Sequence, residues 1–249
     1  MSAHSLAVAQ IASVRGDFAA NLQRHLDVTA QAAAAGVELV IFPELSLTGY
    51  EPDLAAELAV AADGSALQPL RDAARSGNLT VAAGCPIAAG QQKPWLSAVV
   101  FGPDDAVRVY HKRFLHGPEN DDFTAGCDPL LLAVGNERIG LAICADIHEP
   151  RHDSDLASLG ATVYAAGVAI RDTSRRRAHE ELSRMAQRHG MLTMMANYSQ
   201  PTGGFDIHGG SGIWSPDGAL LAAAAEGADQ LLIAQRSDDQ TWSGSVRDV

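Results

Sequence analysis

The apolar segments of this chain are joined in two different ways, and any fold it adopts must accommodate both. In the first third they alternate with amphipathic stretches. "SLAVAQI" (5–11) reads as a strand. "DFAANLQRHLDVTAQAAAAG" (17–36) reads as a helix with Phe18, Leu22, Leu26 and Ala30 on one face and Gly36 as its stop. "VELVIFPEL" (37–45) is a buried strand ending at Pro43-Glu44, residues 52–62 and 65–77 are helical, and "LTVAAGCPI" (79–87) is the next strand. The rhythm then changes. "LSAVVFGPDD" followed by "AVRVYHKRF" is a hairpin turning at Gly102-Pro103-Asp104-Asp105, and "PLLLAVGNERIGLAIC" is a second, turning at Gly135-Asn136. Beyond them come strand "ATVYAAGVA", helix 173–189, strand "MLTMMANY", hairpin "SGIWSPDGALLAAA" and strand "QLLIAQ".

Parallel neighbours need long crossovers, whereas a tight turn joins only antiparallel strands. A purely parallel, doubly wound sheet therefore does not suit the hairpins. An α/β protein made of two mixed sheets packed together with helices outside suits both connection types. No internal repeat or low-complexity linker divides the 249 residues, so a single domain over 1–249 is expected.

A formal net charge of −12 argues against nucleic acid and against anionic membrane surfaces as partners. The one basic cluster, Arg175-Arg176-Arg177, reads as a solvated face or a local salt-bridge site. No apolar run approaches the roughly 20 residues needed to span a membrane. The start, "MSAHSLAVAQIASVRGD", shows no basic segment followed by a long apolar one, so no secretory signal is expected and the location expected is cytoplasmic. Three cysteines without CxxC spacing fit a reducing compartment better than a disulfide framework. The histidines form no HExxH and no Cys/His ligand pair, so neither a metal site nor any other cofactor is expected. The glycine-rich "PTGGFDIHGGSG" (201–212) lacks a strand before it and a helix after it. It reads as a loop near a site mouth and not as a phosphate cradle.

Chemistry gathers at the strand ends. In "GLAICADIHEP" (140–150) an apolar strand runs into Cys144 and then into charge. A thiol with a pKa of about 8.5 is only a few per cent ionised at neutral pH, so a nucleophilic cysteine needs a base or a cation beside it. "IFPELSLTGY" places Glu44 directly after an apolar run, where desolvation raises a carboxylate toward general-base values. "RVYHKRFLHGPEN" places Lys112 at the end of an alternating strand, with Glu119 seven residues on. A base, a cation and a thiol, each closing its own strand, can meet at one edge of a sheet sandwich.

"FPELSLTGY", "VYHKRFLHGPEN" and "GLAICADIHEP" resemble the glutamate, lysine and cysteine motifs of the nitrilase, or carbon–nitrogen hydrolase, superfamily. The resemblance continues through "FTAG" (123–126) and "GGSGIWSPDG" (209–218), in similar order and spacing, and so covers nearly the whole chain. It implies an α-β-β-α sandwich paired into a homodimer or higher homo-oligomer, with Cys144 as nucleophile, Glu44 as base and Lys112 as cation. Glu119 matches a second glutamate found in many members. Tyr50 is either a wall of the pocket or a packed core tyrosine. Cys85 and Cys127 read as buried fillers, leaving Cys144 as the most reactive thiol, its thiolate favoured by Glu44 and Lys112. Met191, Met194 and Met195 read as core.

Departures from the family pattern bear on the substrate. Ala145 stands where many amidase-type members carry a bulky aromatic, and His148 where an arginine is common. The Trp-Glu that typically follows the cysteine of true nitrilases is missing, which points to amides. Ala145, with Ala165 and Ala166 at the next strand end, suggests a roomy substrate pocket. The expected function is a cofactor-free cysteine amidase that releases ammonia from a small linear amide or a carbamoyl compound. The alternatives are nitrile hydrolysis to the acid, or a catalytically idle dimeric interaction module of the same fold. A scaffold needs none of Glu44, Lys112 and Cys144, and their joint presence favours the enzyme.

Overall fold

In the computed structural model, which describes residues 4–249, the two kinds of connection build two mixed sheets. The chain forms β1 (His4–Gln10), α1 (Phe18–Ala34), β2 (Leu39–Ile41), the short α2 (Ala55–Leu58), α3 (Gln68–Gly77) and β3 (Thr80–Ala89). Next are β4 (Gln92–Phe101), β5 (Val107–His111), a one-turn α4 (Glu119–Asp122), β6 (Leu131–Val134), β7 (Glu137–Ile143), α5 (Pro150–Ser158), β8 (Val163–Gly167) and α6 (Asp172–His189). β9 (Leu192–Ala196), β10 (Gly212–Trp214), β11 (Leu220–Ala223), β12 (Gln230–Arg236) and β13 (Trp242–Asp248) complete it.

One sheet has seven strands in the order β13-β12-β1-β2-β3-β4-β5, and the other has six in the order β11-β10-β9-β8-β7-β6. Pairs joined through helices are parallel: β1 with β2, β2 with β3, β7 with β8 and β8 with β9. The hairpin pairs β4–β5, β6–β7 and β10–β11 are antiparallel. The sheets face each other across a seam that includes Leu6, Leu39 and Ile41 on one side and Ile139, Leu141 and Val163 on the other. Each such fully buried aliphatic side chain contributes about 1.5–3 kcal/mol relative to exposure. α1 and α3 cover the outer face of the larger sheet, and α5 and α6 that of the smaller. The result is an α-β-β-α sandwich.

Five local features differ from the sequence expectation. The helix expected over 52–62 is only a 3-10 turn and the short α2, with Val60 bridging to Ile87 instead. The core-facing stripe of α1 is Asn21, His25, Val28, Thr29 and Ala32; Phe18, Leu22 and Leu26 are only half-buried, and Ala30 is exposed. Polar Asn21 and His25 can be buried because the structure satisfies them. Asn21 donates to the carbonyls of Val14 and Leu47, and His25 meets the Ser46 hydroxyl and the Asn21 carbonyl. β3 and β4 extend toward each other and form a further hairpin through Gly90, at φ +66°. Pro150–Ser158 is helical, although only His152, Asp153 and Leu156 of it are buried. Finally, β13 pairs with β12 as an edge strand in which Trp242 alone is buried. Among the described residues, no helix is long and apolar enough to cross a membrane.

Candidate active site

Glu44 follows β2 at a place where the backbone is gripped from both sheets. A Cβ on Gly84 of β3 would lie 2.5 Å from the Pro43 carbonyl and 2.2 Å from the Leu45 nitrogen. A Cβ on Gly167 of β8 would lie 2.5 Å from the Phe42 carbonyl. Only glycine permits this approach, so the carboxylate's origin is held between two strands. The Tyr198 hydroxyl donates to the Glu44 carbonyl at 2.5 Å and fixes it from a third side.

Lys112 directly follows β5, whose ladder its N–H extends by donating to the Leu96 carbonyl at 2.8 Å. Cys144 directly follows β7 and opens a 3-10 turn over Cys144–His148. Its φ of +43° is uncommon for a residue with a Cβ and costs on the order of 1–3 kcal/mol. Asp146 secures that turn. Its Oδ2 accepts the Ile143 N–H at 2.9 Å and the Tyr110 hydroxyl at 2.6 Å, and its Oδ1 accepts the Phe114 N–H at 3.0 Å. One buried carboxylate thus ties the cysteine turn to residues on both sides of Lys112.

The three charged side chains meet out of water. Lys112 Nζ donates to Glu44 Oε1 at 2.6 Å and to Glu119 Oε1 at 2.7 Å, and all three residues are at most 1 % exposed. Glu119 also accepts the Tyr50 hydroxyl and the His116 N–H, each at 2.7 Å. Glu44 Oε2 is buried with no partner among the described residues, so one carboxylate oxygen is left to accept a proton. Burial pushes the Glu44 carboxyl up to about 7, outweighing the Lys112 charge; the Cys144 thiol lies close enough to draw it down in part. Burial opposes the Lys112 charge, but Glu44, Cys144 and Glu119 together raise its pKa above the ordinary lysine value. Burial and the Glu44 carboxylate push the Cys144 thiol well above its usual range, and Lys112 offsets this only in part. The expectation that the two neighbours jointly favour a resting thiolate is therefore corrected: Lys112 favours the thiolate, and the Glu44 charge opposes it.

Cys144 and Ala145 line an open cleft of about 470 Å³, bordered also by Tyr50, Phe205 and His148. Residues 5–242 match the Carbon-nitrogen hydrolase family. The chain belongs to that family. A hydrolase from Mycobacterium tuberculosis is 29 % identical over 97 % of this chain and 92 % of its own length. A nitrilase from Pyrococcus abyssi is 28 % identical over 82 % and 79 %. Among solved structures, the amidase from Nesterenkonia sp. AN1, as a double mutant in complex with acrylamide, superposes with a TM-score of 0.86 at 26 % identity. That match covers 96 % of this chain and 92 % of the other. Another form of that amidase shows Michael addition of acrylamide at its active-site cysteine.

In this carbon–nitrogen hydrolase the sequence candidates fall into two groups. Glu44, Lys112 and Glu119 are in direct contact, with Tyr50 hydrogen-bonded to Glu119, while Cys144 and Ala145 share the cleft with Tyr50 and Glu119. Ala165 and Ala166 are a correction. Both are fully buried in β8; Ala165 borders only a void of about 10 Å³ between the sheets, and Ala166 packs into the layer beneath α5 and α6. The chain runs on past the strand end, and it is Ala169, Ile170 and Arg171 that reach the cleft. Cys85 and the methionines 191, 194 and 195 are core, but Cys127 is exposed beside Asp128 and is no filler. Arg177 belongs to the cleft wall and not simply to a solvated face, whereas Arg175 does form local pairs, with Asp172 and Glu226. Among the described residues, no cluster suited to holding a metal occurs.

Proposed function

We propose that this carbon–nitrogen hydrolase cleaves small carboxamides or carbamoyl compounds through a thioester on Cys144. The observation that carries the reading is the division of labour at Glu44. One oxygen is bound by Lys112 and the other is buried and unpartnered, close to the half-buried Cys144 thiol, whose pKa its surroundings raise.

Glu44 takes the Cys144 proton as the sulfur forms a bond to the carbonyl carbon. The carbonyl π pair moves to oxygen, and the Lys112 ammonium and the Ala145 N–H stabilise the oxyanion. Removing such a donor typically costs about 10²–10³ in rate. The oxyanion collapses, the C–N bond breaks, and Glu44 hands its proton to the departing nitrogen, which leaves as ammonia. Water then adds to the thioester, giving one proton to Glu44. The C–S bond breaks and that proton returns to sulfur, releasing the acid. Glu119, anchored by Tyr50 and the His116 N–H, orients Lys112 and holds the amide nitrogen toward Glu44.

Amides are favoured over nitriles because expelling an amine requires a proton donor beside it, which Glu44 becomes after the first transfer. The amidase neighbour in complex with acrylamide supports the same choice. The test is ammonia release from matched R–CONH₂ and R–CN pairs across several R groups. The amide of each pair is expected to be the faster substrate, and a nitrile turned over faster than its own amide would contradict the reading.

A further inference from the structure

The lining of the cleft carries a cationic element that the reaction itself does not use. Arg171 and Arg177 both border the cleft and both are exposed, and neither guanidinium has an acidic partner among the described residues. Their neighbour Arg175, on the same helical stretch, is by contrast tied to Asp172 and Glu226. Arg171 does not sweep freely through solvent, because its guanidinium lies over the Phe205 ring, 3.7 Å from the centroid. Phe205 in turn packs on Tyr50 at 5.0 Å between centroids, and the Tyr50 hydroxyl reaches Glu119 at 2.7 Å. A continuous stack therefore sets a fixed positive charge at a defined remove from the Lys112 centre. Stacking of this kind holds the guanidinium plane while leaving its edge N–H groups free to bind.

A second observation points the same way. His148 borders the same cleft, and its Nδ1 is buried with no hydrogen-bond partner among the described residues. The acidic groups nearby do not cancel the arginines. Glu119 is committed to Lys112, Tyr50 and the His116 N–H, and Asp172 is taken by His208 and Arg175. Glu149, exposed on the rim, is the one other carboxylate bordering the cleft. In a protein of formal net charge −12, two arginines with no carboxylate in contact make one part of this lining locally positive, although Glu119 and Glu149 also border the cleft.

We infer that the cleft selects amides whose far end carries a carboxylate, bound by Arg171 and Arg177, with His148 donating to or accepting from the connecting portion of the substrate. This inference rests on the amide-hydrolase reading for the chemistry at Cys144 but not for the binding. A guanidinium–carboxylate contact in a partly desolvated cleft is worth about ten- to a hundred-fold in affinity. The reaction product would then be a dicarboxylate.

The experiment measures binding to the Cys144→Ala protein by calorimetry. The probes are the monoamides of succinate, glutarate and adipate, each beside the neutral primary amide of the same chain length. The acidic member of at least one pair is expected to bind about ten-fold tighter or more, with the advantage shrinking as salt is raised. Adding Arg171→Gln and Arg177→Gln should abolish the advantage, and Arg171→Lys should restore only part of it. Equal affinity within every pair, or an advantage that survives both glutamine substitutions, overturns the inference. Turnover by the wild-type protein separates the two ideas. An arginine-dependent advantage in binding with no hydrolysis of either amide upholds the anion site and removes the amide-hydrolase reading.

Discussion

Replacing Lys112 by methionine removes the one cation between two buried carboxylates, and the consequences can be worked out from their contacts. Glu119 keeps the Tyr50 hydroxyl and the His116 N–H. Glu44 keeps only the neighbouring Cys144 thiol, because Oε1 bonds only Lys112 and Oε2 has no other partner among the described residues. Breaking a buried ion pair by deleting one member costs about 3–5 kcal/mol, since the other charge stays desolvated. The variant cannot then be expected to leave the fold's stability untouched while it lowers kcat. The loss should depend on pH in a definite direction. Burial already raises the Glu44 carboxyl from 4.5 to about 7 with Lys112 present, and without that charge it lies higher still. A carboxyl raised in the folded state binds its proton more tightly there. Its contribution to stability is full below 4.5 and is lost as pH rises through the folded value. Urea unfolding should therefore show the variant about 3–5 kcal/mol below wild type near pH 8 and much closer to it near pH 5. In the Lys112→Met background, Glu44→Gln should recover part of the deficit at the higher pH. Equal stability at pH 8, or a deficit that does not change with pH, would refute the buried ion triad.

Other outcomes follow from the same geometry. Glu44→Gln should lower kcat by at least about 10², and the acidic limb of wild-type kcat/KM, expected near pH 7, should disappear from what activity remains. Brief, substoichiometric alkylation should label Cys144, as the thiol that has a base beside it. Cys85 is sealed by burial, and Asp128 raises the exposed Cys127 thiol, so a label found mainly on either contradicts the site. Asp146→Asn sets an amide NH₂ against a backbone donor, either Phe114 or Ile143. It should cost about 1–3 kcal/mol and slow Cys144 alkylation as well as turnover, measured side by side. Chelators should leave wild-type turnover unchanged, and inhibition by EDTA would reopen a metal-dependent mechanism.

The sandwich was legible because its connections are local. "GPDD" and "GN" mark turns by their own backbone chemistry, and α1 shows itself as a helix although its apolar spacing pointed to the wrong face. The chemistry at the strand ends was legible because Glu44 and Cys144 each close an apolar run and Lys112 closes an alternating strand. What escaped the sequence is whatever depends on a distant partner. Asn21 and His25 look like solvent-facing positions until Ser46 and Leu47 come within hydrogen-bond reach. β13 has almost no buried side chain to mark it and exists because β12 offers an edge. Ala165 and Ala166 resemble a strand terminus at the pocket, but the distance from strand end to cleft is set by how the sheets stack. The stack of Tyr50, Phe205 and Arg171 joins three loops far apart in sequence, so no local pattern announces it.

The central claim is a common acyl-Cys144 intermediate, and its most direct test is partitioning with hydroxylamine. A primary amide and an ester sharing one acyl group should yield the same ratio of hydroxamate to acid at a given hydroxylamine concentration, because both pass through one thioester. Cys144→Ala should abolish both products. Ratios that differ between the two substrates, or hydroxamate formation that survives in Cys144→Ala, would contradict the account.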